Sequence, residues 1–391
     1  MFDFSFPKTW GLSALLLPLL VGCPDLPDPE GAARDGVSPV ASSTPATAKA
    51  TPTPFPSRPT EGDNAYSQPG ADDYTPGKPY PIPEPLPAKS QPQAVAGQGP
   101  APQAGEAAVE LVLGGKGEAP GRFGYPRAMT TTKEGLLFVA DKTGRIQRFT
   151  PEGKVERLVF TPGLVQGKPT GLGIDEHGDL LVADTHYCRV LVYDTDLKLK
   201  RAYGAPGPAP GQFMMITSVH AAGGLHYTTD FGDQVARVQV WQEDGTYLRT
   251  WGSFGWDEDQ FRRPMNLAID PTRDRVYVAD AANHRVSIFS SAGELQGHLG
   301  GEGKEQGKLG YPYDVKLDEA GRVWVAEFGN QRVSVFSPEG KCLGIWGGPG
   351  RAVGGLNRPW AVALGPAERV WVLDSNGDRV YGMHRKTWLG S

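Results

Sequence analysis

Motifs of catalysis and of nucleic-acid binding are scarce in this 391-residue chain. There is no glycine-rich phosphate loop and no nucleophile elbow, so two common routes to enzymatic chemistry lack a sequence basis. Lys and Arg total 39 against 44 Asp and Glu, a net charge of −5. They form no basic stripe that could neutralise phosphates, which argues against nucleic acid as a partner. The seven histidines, His177, His186, His220, His226, His284, His298 and His384, show no common spacing. No metal set is visible among them, and neither a metal nor a cofactor is expected. Long apolar runs are also missing. The one candidate, residues 11–20, is too short to span a bilayer comfortably. Cysteine is rare, with only Cys23, Cys188 and Cys342.

What is present begins with a targeting signal. One lysine, Lys8, precedes the apolar stretch, and Leu20-Val21-Gly22-Cys23 follows it. This pattern resembles a bacterial lipobox, in which the Cys receives the lipid. The resemblance implies a signal peptide over residues 1–22 and a mature chain starting at Cys23. Several acyl chains there would anchor the protein stably. The expected location is the extracytoplasmic side of a bacterial envelope membrane, with the outer membrane favoured.

Residues 23–105 read as a tether. Prolines crowd this stretch among Ala, Ser and Thr, as in Thr51-Pro52-Thr53-Pro54-Phe55-Pro56. It has no apolar periodicity, so burial cannot offset the entropy of ordering it. Its reach is on the order of 50 Å as a coil and roughly 250 Å if fully polyproline-like.

Residues 106–391 are built on one phrase, repeated six times. An apolar strand ends in an acid, and an Arg follows a few residues later. The pairs are Asp141 and Arg145, Asp184 and Arg189, Asp230 and Arg237, Asp280 and Arg285, Glu327 and Arg332, and Asp374 and Arg379. The acids recur about every 43 to 50 residues, a period that marks propellers and solenoids. Around each phrase the alternation predicts four strands, which is the grammar of a propeller blade. A Gly-x-apolar link usually joins the units, as in Gly121-Arg122-Phe123 and Gly211-Gln212-Phe213. The sixth unit stops after three strands. The orphan strand Val109-Glu110-Leu111-Val112-Leu113-Gly114 carries fourth-strand grammar and should close that blade. The fold expected is all-β, a six-bladed β-propeller.

Phrases such as Val278-Ala279-Asp280-Ala281-Ala282-Asn283-His284-Arg285-Val286 resemble NHL repeats. The likeness extends over residues 109–388. It implies roles from protein or RNA binding to enzymes such as amidating lyases and lactonase-like hydrolases. The histidine ligands of the lyases are not visible here. Of the Glu, Asn and Asp that the lactonases require at the axis, Asn266 and Asp314 could supply two.

The repeated acid and Arg read as structural. Six near-copies spread round a ring cannot converge on one site, whereas each can bind local turn N–H groups and carbonyls. Glu327 should weaken only its own turn. Function is sought instead where the blades differ. The first strands align as Ala128, Gly171, Ser218, Asn266, Asp314 and Ala361, and two residues on as Thr130, Gly173, His220, Ala268, Lys316 and Ala363. Small residues suit a crowded axis. Ser218, His220, Asn266, Asp314 and Lys316 make a polar arc suited to proton transfer or an anionic ligand. Arg127, Met265, Tyr313 and Trp360 are placed at the channel mouth, where aromatic and Arg anchors could recognise a partner. Phe254 and Trp256, in the loop before the fourth blade, could join them or seal gaps between blades.

Cys188 and Cys342 fall in opposite blades, too far apart to bridge, and should be two free, mostly buried thiols. Together these readings describe a monomeric, membrane-anchored binding module for an envelope protein or a small-molecule ligand. The alternative is a propeller enzyme, a lyase or lactone hydrolase, with its site in the channel.

Overall fold

The computed structural model describes residues 109–163, 168–232 and 234–389. The proposed lipidation residue Cys23 and the tether lie outside them. Six four-stranded antiparallel sheets follow in sequence order, as a six-bladed propeller. Blade 4 illustrates the unit: Pro264–Asp270, Arg275–Asp280, Arg285–Phe289 and Leu295–Gly300. Its second strand is buried almost throughout, as expected of a strand covered on both faces. The ring closes as expected. Leu111–Gly114 pairs antiparallel with the last strand, Arg379–His384, from Leu111 opposite Gly382 to Gly114 opposite Arg379.

Each acid–Arg pair is a stitch between a blade and the link that enters it. Asp280 is fully buried and its carboxylate accepts from Arg262 N at 2.7 Å and from Arg285 Nε at 3.1 Å. Arg285 in turn donates to the link carbonyls of Asp257 and Gln260. The same arrangement recurs at Asp230, Glu327 and Asp374. Removing one partner would strand a buried charge, at a cost of about 3–5 kcal/mol. Glu327 does more than its expected local role. It accepts from Asn330 Nδ2 at 2.6 Å, as Asp280 does from Asn283 Nδ2 at 2.7 Å, and its longer side chain also accepts from Ser334 Oγ at 2.5 Å.

The apolar link residues Phe123, Phe213, Phe261, Leu309 and Leu356 are all fully buried. Gly114, at φ 103°, shows why a glycine precedes such a link. A Cβ there would lie 2.4 Å from the Phe123 ring. The short helix Lys386–Leu389 brings Trp388 onto Trp346 and Trp324, with centroids 5.3 and 4.9 Å apart. It buttresses blade 5, a contact with no precedent in the repeat. Cys188 and Cys342 do not bond to each other and are half-buried, less enclosed than expected. Among the described residues no helix is long and apolar enough to cross a membrane.

Candidate functional site

Every first strand carries a β-bulge near its start. The pairing shifts between Pro126 and Ala128, Pro169 and Gly171, Ile216 and Ser218, Pro264 and Asn266, Pro312 and Asp314, and Pro359 and Ala361. The residues inside the bulges are Arg127, Thr170, Thr217, Met265, Tyr313 and Trp360. A bulge re-aims its side chain, and these six stand at equivalent places round one end of the ring. Thr170 and Thr217 hold neighbouring blades: their hydroxyls donate to Thr217 O at 3.2 Å and Pro264 O at 2.8 Å. The other four break the repeat.

Those four are joined by residues before the first strands and after the second strands. Met265 and Tyr313 are buried in a small cluster with Ala281, against which Phe231, Phe328 and Trp360 pack. Tyr313 stacks on Phe328 at 4.2 Å, and Trp360 meets Tyr313 edge-on at 4.9 Å. Arg127 lies over Trp360 at 4.9 Å, Arg263 over Tyr313 at 5.2 Å and Arg358 over Phe328 at 5.3 Å. Burial lowers the Arg127 pKa; Tyr313 acts against it, and the Arg263 charge adds a smaller lowering effect. Burial raises that of Tyr313, with Arg263, Arg127 and Arg358 acting against it. Arg127 of blade 1 reaches Trp360 of blade 6, and Arg263 before blade 4 reaches Tyr313 of blade 5, so contacts round the mouth pass from blade to neighbouring blade. The four residues assigned to the mouth from sequence do come together. Sequence reasoning missed Phe328, Arg263 and Arg358. Arg263 and Arg358 were findable, since each directly precedes an opening proline.

The polar arc is assembled but largely satisfied from within. His220 Nε2 lies 2.6 Å from Asn266 Oδ1, which also accepts from Leu267 N at 2.7 Å. An acceptor with that second bond fixes the His220 proton on Nε2. Burial, then the Lys316 charge, holds the His220 pKa well below its usual value. Lys316 Nζ donates to Asp314 Oδ1 at 2.6 Å, and Asp314 Oδ2 accepts from Val362 N of blade 6 at 2.9 Å. Asp314 is fully buried and serves the seam between blades 5 and 6. Burial nevertheless raises its pKa. Ser218 is also fully buried and bonds Thr229 Oγ1 at 2.6 Å. The small residues of this register serve blade-to-blade contact: a Cβ on Gly171 would lie 2.5 Å from Thr217 O. The loop aromatics divide. Phe254 packs into the core between blades 3 and 4, while Trp256 is 66% exposed with Arg262 over its ring at 4.3 Å.

A divalent metal of the lactonase type does not fit these residues. Among the described residues no three His, Cys, Asp or Glu side chains gather. Asp314 is committed to Lys316 and a backbone N–H, and Asn266 Oδ1 already accepts twice. A lysine ammonium beside the carboxylate occupies the place a cation would take.

A family profile described as the SMP-30/Gluconolactonase/LRE-like region matches residues 217–354. That span runs from the first strand of blade 3 to the link before blade 6 and contains all five residues of the polar arc. Protein brain tumor of Drosophila melanogaster is 33% identical over 81 residues, which is 21% of this chain and 8% of that protein. The chain thus spans under a tenth of the length of that curated relative. Among solved structures, a gluconolactonase from Xanthomonas campestris aligns with a TM-score of 0.52 at 15% identity. The alignment covers 67% of this chain and 86% of that one. A streptogramin B lyase aligns with a TM-score of 0.50 at 12% identity, covering 66% and 93%. At these identities the likeness is one of fold.

Proposed function

We propose that the protein is a lipid-anchored binding module held by Cys23 on the extracytoplasmic side of a bacterial membrane. It recognises an envelope protein or small ligand at the channel mouth. One observation carries this reading. The equivalent bulge residues are threonines on blades 2 and 3 but Arg127, Met265, Tyr313 and Trp360 on the others, and these four join one aromatic and cationic cluster. A purely architectural repeat has no need of that asymmetry, and aromatic and Arg clusters are what binding sites concentrate. The test is crosslinking capture in the native envelope. Trp360→Ala with Tyr313→Ala should lose the partner recovered by the unaltered protein while keeping its far-ultraviolet spectrum. Equal recovery by both proteins would move recognition elsewhere on the ring.

A second reading, a lactone hydrolase or lyase, draws on the profile match over residues 217–354. It requires the His220–Asn266 and Lys316–Asp314 pairs to act on a substrate rather than on each other. Bound metal in the purified full-length protein, with a lactonase activity abolished by chelation, would favour it over the binding role.

A further inference from the structure

We propose that the channel mouth is an oxyanion receptor, and that its ligand carries two or more phosphate or carboxylate groups read by Arg127, Arg263 and Arg358. The inference rests on the binding role proposed above and names the chemistry of its ligand.

The three guanidinium groups are held but not neutralised. Each lies over an aromatic ring at 4.9 to 5.3 Å. A ring in that position attracts the cation through its π face and supplies no oxygen acceptor, so the N–H donors stay open to an oxyanion. Among the described residues none of the three donates to a carboxylate. Arg127 Nε is buried and has no acceptor at all. The repeated arginines differ: Arg285 and Arg332, for example, bind both an acid and link carbonyls. A buried donor without an acceptor carries a desolvation penalty that an incoming oxyanion would relieve.

The surroundings of the site are cationic. The Arg263 charge bears on Arg127, and both, with Arg358, bear on the Tyr313 phenol. On the blade 2 side, Lys168 and His186 are pushed down by burial and then by neighbouring cations that include Arg127. This concentration of positive charge sits in a chain whose net charge is −5. A convergent set of like charges favours an anion and steers it inward.

Backbone geometry holds the donors in place. Arg263 and Arg358 sit at φ 67° and 61°, left-handed conformations uncommon for residues with long side chains. Each directly precedes a proline that opens a strand, so its direction is set by the ring. The rings also narrow the ligand class. Tyr313, Phe328 and Trp360 pack on one another and each already carries a guanidinium. A neutral sugar or a base that needed an open aromatic face would compete with an arginine for it. An oxyanion meets the guanidinium edges and displaces nothing. Fork-to-oxyanion geometry is the bidentate one that Arg forms best.

The test uses the detergent-solubilised full-length protein with inorganic pyrophosphate and citrate as probes and acetate as the monovalent reference, measured calorimetrically. Saturable binding of pyrophosphate or citrate is expected, at least about tenfold tighter than acetate. The variant R127Q/R263Q/R358Q should lose it by about tenfold or more, R127K/R263K/R358K should be weakened too, and R157Q, on the fourth strand of blade 1, should bind as the native protein does. Absence of saturable binding, equal affinity for acetate, or equal weakening by R157Q would overturn the inference. The binding role fails separately. A partner captured through Trp360 and Tyr313, yet indifferent to both probes and to R127Q/R263Q/R358Q, would keep the role and remove the oxyanion. Capture indifferent to all of these substitutions would remove the role itself.

Discussion

His226 is fully buried in blade 3, stacked on Tyr203 with a 2.7 Å hydrogen bond between its Nδ1 and the Tyr203 hydroxyl. Burial, then the Arg201 charge, lowers its pKa from 6.5 to about 4. Between those values the unfolded chain binds more protons than the folded one. The stability that neutral His226 contributes is therefore fully present above pH 6.5 and is lost as pH falls toward 4. The gap corresponds to roughly 3 kcal/mol. Asp184, Asp230 and Asp280, pushed up by burial to about 6, work in the opposite sense, their contribution fading as pH rises through 6. Comparing two proteins that share them cancels that effect. His226→Gln should lower Tm at pH 7.5, and the Tm difference from the native protein should shrink as pH approaches 4. A constant difference across this range would assign the loss to packing alone.

At the scale of the element, closure depends on one short strand. Leu111–Gly114 completes blade 6, Leu111 and Leu113 pack against the core between blades 6 and 1, and Glu110 pairs with Arg369 at 2.7 Å. Without the strand, Arg379–His384 becomes an exposed edge and an apolar surface opens to water. A chain beginning at Lys116 should melt lower than one beginning at Pro102 by roughly 10 °C, judged from the apolar area and ladder lost. Equal melting temperatures would mean that the ring is held shut by its other contacts. The first strands carry the second lesson of this scale. Their bulges place six residues at one end of the ring, so a difference in sequence at that position becomes a difference in what the mouth presents.

For the whole molecule, the propeller supplies the binding body, and location is the role proposed for the N-terminal segment. Tethering by a chain with a reach on the order of 50 Å or more would let the mouth sample partners well away from the bilayer. The role proposed for Cys23 makes this testable. Cys23→Ser should either release the protein from the membrane fraction or leave it unprocessed. A normally processed protein that still requires detergent for extraction would show that anchoring does not run through that thiol.

The repeat was legible because a blade is defined by local features. Alternating strands, a buried acid, an Arg a few residues on and a Gly-x-apolar link recur at fixed spacing, and sixfold repetition makes each copy evidence for the others. Even the closing strand was readable, since a missing fourth strand at one end matched an orphan at the other. The candidate site was only half legible. Arg127, Met265, Tyr313 and Trp360 stood out as large side chains at the strand entries, and the polar arc by breaking an alignment, but neither signal can say which way a side chain points. Residues of one register were divided by their neighbours: Ser218 and Asp314 turned to seams within and between blades, while Asn266 met His220. Phe328 was hidden because it follows a second strand, and only strand pairing within blade 5 brings it onto Tyr313. The seating of Arg127 over Trp360 depends on blades 1 and 6, which lie at the two ends of the sequence and meet only when the ring closes. Sequence spacing determines each blade, whereas contacts between blades exist only after the blades have packed against one another.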